Sequence, residues 1–473
     1  MMKKKDQNLL RPKNRYIQFL LKYQKVIILL ILLITSLASF YINYPLIKGA
    51  ESYYHLSEPL TLLGFFNDPW LLLASFIPEP ILFFLPPMLA LLSILLIFQL
   101  SRTINLPERL TFLFLFFLII TPAFIYTFTV ISAYSLFISL SLVGLFLLSR
   151  KNVHKYYSII TLALAFCFDL LSGFLLSTAL IIILYQHLNK KNRADQKQKG
   201  QQNNNLNLKS TLILAIIAAL ALLILKKLIF NTPFIYGPYH AQQLLPDFIS
   251  DFGGLGGLSF FLIILAVIGL AVAWKSKFYL AYLFMPVIVL AYLFNTQAIF
   301  FLGIWTIFFA AAGFIKLFDQ KWTLLIIKQF TLLLLVLGML FSTLTYFNSL
   351  TAYQPSEQAR DALLWIEDHT DEDVIVFSLP EESYYVSYFA QRETFFKPHA
   401  QTQLTANLTQ AILYSNYIQE LFPILEENNI TMLYISPKMR SQLGTEQGLL
   451  FLLQNERFKM VYSARQTEVW TFD

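Results

Sequence analysis

The chain has 473 residues, of which 57% are hydrophobic and only 13% carry a charged side chain. Soluble globular proteins contain about 25% charged residues, so this composition excludes an ordinary soluble domain and predicts a membrane protein. The formal net charge of +7 does not indicate nucleic-acid binding, because the basic residues lie between apolar segments, where they set membrane orientation.

The N-terminal segment, residues 1–23, is basic and leads into a first apolar run, so we predict that it is cytoplasmic. No small-residue cleavage site follows the run, which is typical of a retained anchor rather than a signal peptide. A transmembrane helix needs about 20 apolar residues. Runs near that length predict spans at 24–43, 80–100, 110–128, 131–149, 211–230, 257–274, 278–294, 297–317 and 324–347.

The apolar run at 157–185 is longer than one span and contains the interruption DLLSG at 169–173. A single crossing would place the basic loop that follows on the outer side, against the positive-inside bias. We therefore predict two short crossings here and about eleven spans in total. The polar segment 189–209 is predicted to be a flexible cytoplasmic linker between a first bundle, 24–188, and a second, 210–347; a basic lipid-binding arm is the alternative.

The remaining residues, 348–473, form a different kind of sequence. From Gln354 onward there are 8 Lys and Arg against 17 Asp and Glu, whereas the preceding part has 27 against 11. Helix-like stretches (SEQARDALLWIEDHT, YIQELFPILEENN, MRSQLGTEQGLLFLLQNE) interleave with strand-like ones (DVIVFSL, TMLYISP, FKMVYSA). An odd number of spans places this part outside, so we predict one extracytoplasmic α/β domain.

Acidic residues of the membrane part concentrate in two long loops, 44–79 and 231–256, which the predicted topology places on the outer face. Carboxylates from two loops suit Mg²⁺ or Mn²⁺, which prefer oxygen ligands and commonly retain phosphate contacts. A carboxylate also serves as a general base towards an acceptor hydroxyl. The acids in question are Glu51, Glu58, Asp68, Glu79, Asp247 and Asp251.

These residues also have ordinary structural explanations. Carboxylates are common on wet loops, and Asp68 in FNDPW suits a turn. Asp251 in ISDFGGLGG precedes a helix start, where Asp often caps. His55 shares a face with Glu51 if ESYYHL is helical; it is either a second ligand or phosphate donor, or a partner of the nearby Glu51 or Glu58.

The stretch GAESYYHLSEP at 49–59 follows an apolar anchor and has an acid ahead of two aromatics and a histidine. It resembles the first outer loop of the GT-C glycosyltransferase superfamily, in particular archaeal and bacterial relatives of the oligosaccharyltransferase catalytic subunit. Three further stretches resemble the same group: TPAFIYTFTVISAYSLFISLSLVGLFL, ISDFGGLGGLSFFLIILAVIGL and ALLWIEDHTDEDVIVFSLPEESYYVSYFAQRETF.

The resemblance implies a polytopic α-helical, GT-C-like membrane protein of about eleven transmembrane helices with a C-terminal extracytoplasmic α/β domain. It implies a polyprenyl-phosphate-linked sugar as donor and a divalent metal ion. Glu51 corresponds to the first-loop acid that binds the metal and contributes to catalysis, Asp68 to a second catalytic acid, and Asp251 to a later metal ligand. Tyr54, His55 and, in the second outer loop, Tyr236 are the candidate substrate-binding residues.

This sequence also departs from the family. The acceptor motif Trp-Trp-Asp-Tyr-Gly is replaced by LPEESYY at 379–385, which argues against transfer to Asn in a Ser/Thr sequon. No acid occurs in the connection at 127–131, where a second Asp-x-Asp pair is expected, and NTQAIFF at 295–301 replaces a late arginine.

We therefore predict an integral plasma-membrane glycosyltransferase acting from a polyprenyl-phosphate donor on a lipid, glycan or protein acceptor at the extracytoplasmic face. The alternative is a non-catalytic GT-C-like scaffold, or a polysaccharide or lipid transporter. A transporter is disfavoured because transporters place polar or broken helices near the midplane, which here is mostly Leu, Ile and Phe.

Overall fold

The computed structural model describes residues 23, 26–28, 30–31, 34, 49, 52–53, 56, 77–82, 84–103, 106–131, 133–149, 157–158, 160–162, 165, 248–252, 257–273, 289, 292, 299–351, 354–396, 403–443 and 448–472. The chain divides into two compact units. The first, here called the helical unit, comprises Met1–Tyr44 and Thr61–Leu350. The second, the sheet unit, comprises Pro45–Leu60 and Thr351–Asp473. The stretch 45–60 therefore groups with the C-terminal residues, an association that nothing in the sequence indicates.

Eight helices of the helical unit are described in full. They are α1 (Glu79–Leu82), α2 (Leu85–Thr103), α3 (Glu108–Ile120), α4 (Pro122–Thr127), α5 (Ala133–Ser149), α6 (Phe260–Ala273), α7 (Ile299–Asp319) and α8 (Leu325–Thr351). By length and composition, α2, Leu302–Asp319 of α7 and Leu325–Leu350 of α8 are long and apolar enough to cross a membrane. The membrane character expected from the sequence is thus confirmed; the count of about eleven spans stays a prediction.

The apolar run at 110–128 is not one helix, which corrects the prediction of a single span. α3 ends at Ile120 and α4 begins at Pro122. A proline lacks an N–H donor and disfavours the helical region for the residue before it. Thr121 accordingly adopts an extended conformation with ψ 132°. The break leaves the carbonyl of Ile120 free for a partner outside its own helix.

Glycines bring the backbones of α6 and α7 into direct contact. A Cβ atom at Gly269 of α6 would lie 1.8 Å from the carbonyl oxygen of Phe309, and one at Gly313 of α7 would lie 2.2 Å from that of Leu265. Small residues that permit such close approach are typical of helix interfaces in membranes. A buried hydrogen bond between Ser93 of α2 and Ser139 of α5, 3.0 Å long, joins another helix pair of this unit.

The sheet unit contains a five-stranded sheet of order β2-β1-β3-β5-β4. β1 (Ile375–Phe377) pairs in parallel with β2 (Glu393–Thr394) and β3 (Ile430–Ile435), while β5 (Thr467–Phe472) pairs antiparallel with β3 and β4 (Phe458–Ala464). The helices are α9 (Glu357–His369), α10 (Ser383–Tyr385), which continues as the π-helix Val386–Ala390, α11 (Gln403–Tyr414), α12 (Ile418–Glu427), α13 (Pro437–Gln442) and α14 (Leu449–Leu452).

Local sequence explains the main elements of this unit. Ser356 caps α9 by accepting a hydrogen bond from the N–H of Ala359 at 3.1 Å. Every residue of β3 except Thr431 is buried, as expected for a central strand with a parallel partner. α12 packs on β3, and α9 packs on β4 and β5. The α/β domain predicted from the sequence is confirmed as a mixed sheet with helices; β2, β5, α10 with its π-helical continuation, and α11 were not predicted.

Candidate functional site

Asp251 lies in a loop of the helical unit whose two ends are joined. Ile249 and Leu258 form a parallel bridge, and the N–H of Ser250 donates to the carbonyl of Leu258 at 3.1 Å. Between these points the chain makes a short 3₁₀ turn, Ser250–Phe252, on which Asp251 is exposed. The loop therefore presents this carboxylate close to the start of α6.

Both carboxylate oxygens of Asp251 accept a hydrogen bond. Oδ2 accepts from the backbone N–H of Phe260, the first residue of α6, at 2.8 Å. Oδ1 accepts from the hydroxyl of Ser342 on α8. The first N–H groups of a helix lack intrahelical partners and carry partial positive charge, so a carboxylate in this place is favourable.

The helix break at Thr121 is joined to the same region. Thr343, the neighbour of Ser342 on α8, donates its hydroxyl to the free carbonyl of Ile120 at 2.9 Å. The N–H of Ala123 at the start of α4 donates to the carbonyl of Gly257 at 3.2 Å. α8 and the end of α3 are therefore fixed to each other beside the loop that carries Asp251.

The capping explanation considered for Asp251 is therefore confirmed. Its proposed function as a metal ligand is compatible with capping, because an ionised carboxylate has about four lone-pair sites and only two hydrogen bonds are accepted here. Among the residues that the structure describes, no three His, Cys, Asp or Glu side chains are grouped so as to hold a metal ion.

In the sheet unit, Tyr53 inserts into an aromatic cluster. Its side chain is only 1% exposed. Its ring centroid lies 5.2 Å from that of Tyr385, 5.1 Å from Tyr388 and 5.2 Å from Phe389. The first two pairs have the edge-to-face geometry that aromatic quadrupoles favour. We call these four residues the tyrosine cluster.

Residues before Tyr53 form a turn that leads into the cluster. Gly49 has a φ of 83°, a conformation that glycine adopts at no steric cost. The N–H of Ser52 donates to the carbonyl of Gly49 at 3.1 Å, and Ser52 is completely buried. Sequence reasoning assigned the neighbouring Tyr54 and His55 to the substrate and missed Tyr53, because periodicity over a short polar stretch does not reveal which aromatic side chain is buried.

A second group lies at the carboxyl ends of the parallel strands β1 and β3. Glu382 follows β1, and Ser436 follows β3 directly. The Oε2 atom of Glu382 is buried and has no hydrogen-bond partner in the part of the chain that the structure describes. Burial raises the pKa of Glu382 to about 7, and a hydrogen bond with the Ser436 side chain offsets only part of that increase. The carboxyl group is therefore about half protonated near neutral pH.

Tyr385 and Tyr434 interact electrostatically with this carboxyl group. Burial, and to a smaller extent the charge of Glu382, raise the pKa of Tyr385 and of Tyr434 above the ordinary value for tyrosine. Tyr385 also contacts the ring of Tyr53. It thus belongs both to the tyrosine cluster and to the surroundings of Glu382. In the sequence, LPEESYY was interpreted only as the replacement of an acceptor motif, and the burial of the Oε2 atom of Glu382 was not predicted.

The other predicted site residues, Glu51, Tyr54, His55, Asp68 and Tyr236, lie outside the described residues. The same holds for the predicted linker at 189–209. Their proposed roles stay predictions.

The fold of the chain is similar to that of the archaeal oligosaccharyltransferase AglB from Archaeoglobus fulgidus, solved in complex with an inhibitory peptide and a dolichol-phosphate. The TM-score is 0.54 at 12% identity, over 95% of this chain and 75% of that chain. An oligosaccharyltransferase of the same organism, solved with Zn and sulfate, gives 0.50 at 14% identity over 93% of this chain and 73% of that chain.

ArnT from Cupriavidus metallidurans in the apo state gives a TM-score of 0.50 at 13% identity, over 94% of this chain and 97% of that chain. No family model matches the sequence, and no curated relative is significantly similar to it. Two of these structures are oligosaccharyltransferases, so the resemblance noted in the sequence is confirmed as a likeness of fold.

Proposed function

We propose that this chain, which has the GT-C fold, transfers a sugar from a polyprenyl-phosphate donor to an acceptor on the extracytoplasmic face of the plasma membrane. The proposal is supported chiefly by the similarity of fold, over 95% of the chain, to an oligosaccharyltransferase solved with a dolichol-phosphate. Because one fold hosts more than one activity, the proposal needs a test at the level of individual residues.

The proposed base is the carboxylate of Glu51, with Asp68 as the second acid of the same loop. An acceptor hydroxyl gives its proton to the carboxylate while its oxygen attacks the anomeric carbon of the sugar. The bond from that carbon to the phosphate oxygen breaks, and polyprenyl phosphate leaves with the electron pair. Tyr54, His55 and Tyr236 are the proposed donors and stacking partners for the substrate.

Asp251 is the proposed ligand, together with Glu51, of a divalent ion such as Mg²⁺ or Mn²⁺. Metal binding by Asp251 is supported by the exposure of its carboxylate and by the lone pairs that remain after its two hydrogen bonds. When bound, such an ion neutralises the negative charge that develops on the departing phosphate. The Archaeoglobus enzyme solved with Zn and sulfate supports the presence of a metal site in this fold.

The class of acceptor follows from the stretch that replaces the sequon-recognition motif. Glu382 and Tyr385 of LPEESYY are partly buried, and the Oε2 atom of Glu382 is inaccessible to solvent. This favours an acceptor other than a Ser/Thr sequon, namely a lipid, a glycan or a different protein segment. The proposed topology keeps about eleven spans, a cytoplasmic N-terminus and an extracytoplasmic sheet unit.

A non-catalytic GT-C-like scaffold is the second candidate, and one observation favours it. Both hydrogen bonds of Asp251 serve the start of α6 and its contact with α8. That structural role alone would be sufficient to account for this acid.

Mass spectrometry of lipid extracts from a strain that lacks the gene tests the proposal against this alternative. A transferase leaves its polyprenyl-phosphate-linked sugar unconsumed when it is removed, so that lipid accumulates in the deletion strain. Wild-type protein should clear it, whereas Glu51→Gln, which removes the general base, should lower the rate of clearance by about 100-fold or more.

Asp319→Asn is the matched control. Asp319 is an exposed acid paired with Arg109 at 3.4 Å, and its replacement should leave clearance unchanged. If no lipid-linked sugar accumulates, or if Glu51→Gln clears it as fast as wild type, the enzymatic proposal is wrong and the scaffold is favoured.

A further inference from the structure

We propose that Tyr53 is a positioning residue for the reaction: its ring, held in the tyrosine cluster, fixes the loop that carries Glu51 to the helical segment 383–390. The inference rests on the proposed function, because it gives Glu51 the role of the base. Tyr53 itself does not contact the reacting atoms in this account.

Tyr53 is deeply buried in the tyrosine cluster. The side chain is 1% exposed, and three rings of the 383–390 segment lie within 5.2 Å of it, centroid to centroid. Ser52 beside it is fully buried, and the turn at Gly49 sets the direction of entry. A surface loop needs no such anchor, since loops usually run over the exterior with few buried side chains.

The chain connection between Tyr53 and Glu51 is short. Tyr53 is the second residue after Glu51, and n residues of extended chain span at most about 3.6 Å × n. The distance between the Cα atoms of Glu51 and Tyr53 is therefore at most about 7 Å. Whatever fixes Tyr53 limits the positions open to the carboxylate.

The segment 383–390, against which Tyr53 packs, is held at both of its ends. It follows β1 through the turn Pro380–Glu382, and it ends at Gln391, whose φ is 49°. The next residue, Arg392, donates to the carbonyls of Glu367 at 2.7 Å and Thr370 at 2.6 Å. These carbonyls belong to the C-terminal end of α9, where a cation is favourable. Both ends of the segment are thus held by the sheet unit.

A π-helix in this position supports the same conclusion. Val386–Ala390 is π-helical, a rare conformation that is frequent at functional sites. It places Tyr388 and Phe389 together against the ring of Tyr53. Catalytic geometry is sensitive to displacements of about 1 Å, so an anchor two residues from the base has a direct effect on rate.

The test uses full-length protein in lipid nanodiscs and, as donor probe, the lipid-linked sugar isolated from the deletion strain, with wild-type membrane extract as acceptor source. Tyr53→Ala should lower kcat by about tenfold or more and also raise KM for the donor, since the base Glu51 and the proposed donor-binding residues Tyr54 and His55 belong to the same loop. Tyr53→Phe keeps the ring and should restore kcat to about the wild-type value.

Phe422→Ala is the matched control. Phe422 is a buried aromatic residue of the same unit, 6% exposed, with ring centroids 5.5 Å from those of Phe458 and Phe472. It should lower thermal stability to a degree similar to Tyr53→Ala without lowering kcat. Deuterium uptake in peptides covering 45–60 should rise in Tyr53→Ala and stay unchanged in Phe422→Ala, a measurement that needs no substrate.

The outcomes separate this inference from the function on which it rests. If Glu51→Gln is inactive while Tyr53→Ala keeps wild-type kcat, or if Phe422→Ala lowers kcat equally, Tyr53 is only a core residue and the proposed function stands. If Glu51→Gln stays active, the assignment of the base is wrong and the positioning role is rejected with it.

Discussion

Each of the two units contains a carboxylate with well-defined surroundings, and the two differ in almost every respect. Asp251 of the helical unit is exposed, and both of its oxygens accept hydrogen bonds, from Phe260 and from Ser342. The Oε2 atom of Glu382 in the sheet unit is buried and has no hydrogen-bond partner among the described residues. Two hydrogen-bond donors contact the first carboxylate, whereas desolvation drives the second towards its protonated form.

This difference shows that sequence context is a poor guide to the chemistry of a carboxylate. Asp251 was singled out by a likeness to a family motif, and the structure gives it a capping role in addition. Glu382 lies where the family's acceptor motif is missing, and burial raises its pKa well above the usual value for a carboxyl group. Perturbed pKa values cluster at functional sites, so the buried acid is the one that needs an explanation in the sheet unit.

The largest effect on stability is expected where the backbones of α6 and α7 are in direct contact. Gly269→Ala places a Cβ atom 1.8 Å from a backbone oxygen of α7, which no side-chain rearrangement relieves. The resulting loss should exceed about 3 kcal/mol, and it outweighs the gain of about 1 kcal/mol in helix propensity. Thermal unfolding in detergent measures it.

Gly303→Ala is the control for this change, because its Cβ atom would meet only the side-chain end of Leu258, at 3.3 Å. It should unfold near the wild-type temperature. Equal stability of Gly269→Ala and wild type would show that α6 and α7 are not packed as described.

A somewhat smaller effect, dependent on pH, is expected in the sheet unit. The native pKa of Glu382, about 7, is raised above the ordinary value of 4.5, so the folded protein binds more protons than the unfolded chain between these values. The contribution of Glu382 to the free energy of unfolding should therefore be largest below pH 4.5 and fall as pH rises to about 7, by about 3 kcal/mol.

Glu382→Gln removes the ionisation and should remove this part of the pH dependence. The unfolding temperature of both proteins between pH 4.5 and pH 8 tests the expectation. Parallel curves for wild type and Glu382→Gln would mean that the carboxyl group is hydrated in the native state, contrary to its buried Oε2.

The smallest effect is expected at Asp251, which is exposed. Ser342→Ala removes the hydroxyl that donates to Oδ1, at a cost of about 1 kcal/mol because water can replace it. Ser349→Ala on the same helix removes a local bond to the carbonyl of Tyr346 and serves as the control. In a double-mutant cycle, Ser342→Ala and Asp251→Asn should be non-additive; strict additivity would show that the two side chains do not interact.

Much of the fold followed from the sequence because its signals are local. Long apolar runs predicted α2, α7 and α8, and alternation of helical and strand patterns predicted the sheet unit. Pro122 should have predicted the break at Thr121, but the apolar run around it concealed the boundary. β2 has only two residues, too few for a periodic pattern to be recognised.

The site was less predictable because its interactions are long-range. Capping by Asp251 was foreseen from the glycine-rich loop before a helix, whereas its partner Ser342 lies 91 residues away. Burial of Tyr53 depends on rings more than 330 residues further along the chain, since Tyr385, Tyr388 and Phe389 form its surroundings. No local pattern in ESYYHL distinguishes this tyrosine from the next one.

Turnover by the purified protein distinguishes an active glycosyltransferase from a non-catalytic scaffold. Wild-type protein in nanodiscs is given the lipid-linked sugar from the deletion strain and a membrane acceptor extract, and release of polyprenyl phosphate is followed together with appearance of the sugar on the acceptor. We expect equal amounts of both products from wild type, and a rate lower by about 100-fold or more from Glu51→Gln. Absence of turnover by the wild-type protein, or equal rates from both, would contradict the assignment of this chain as a glycosyltransferase with Glu51 as its base.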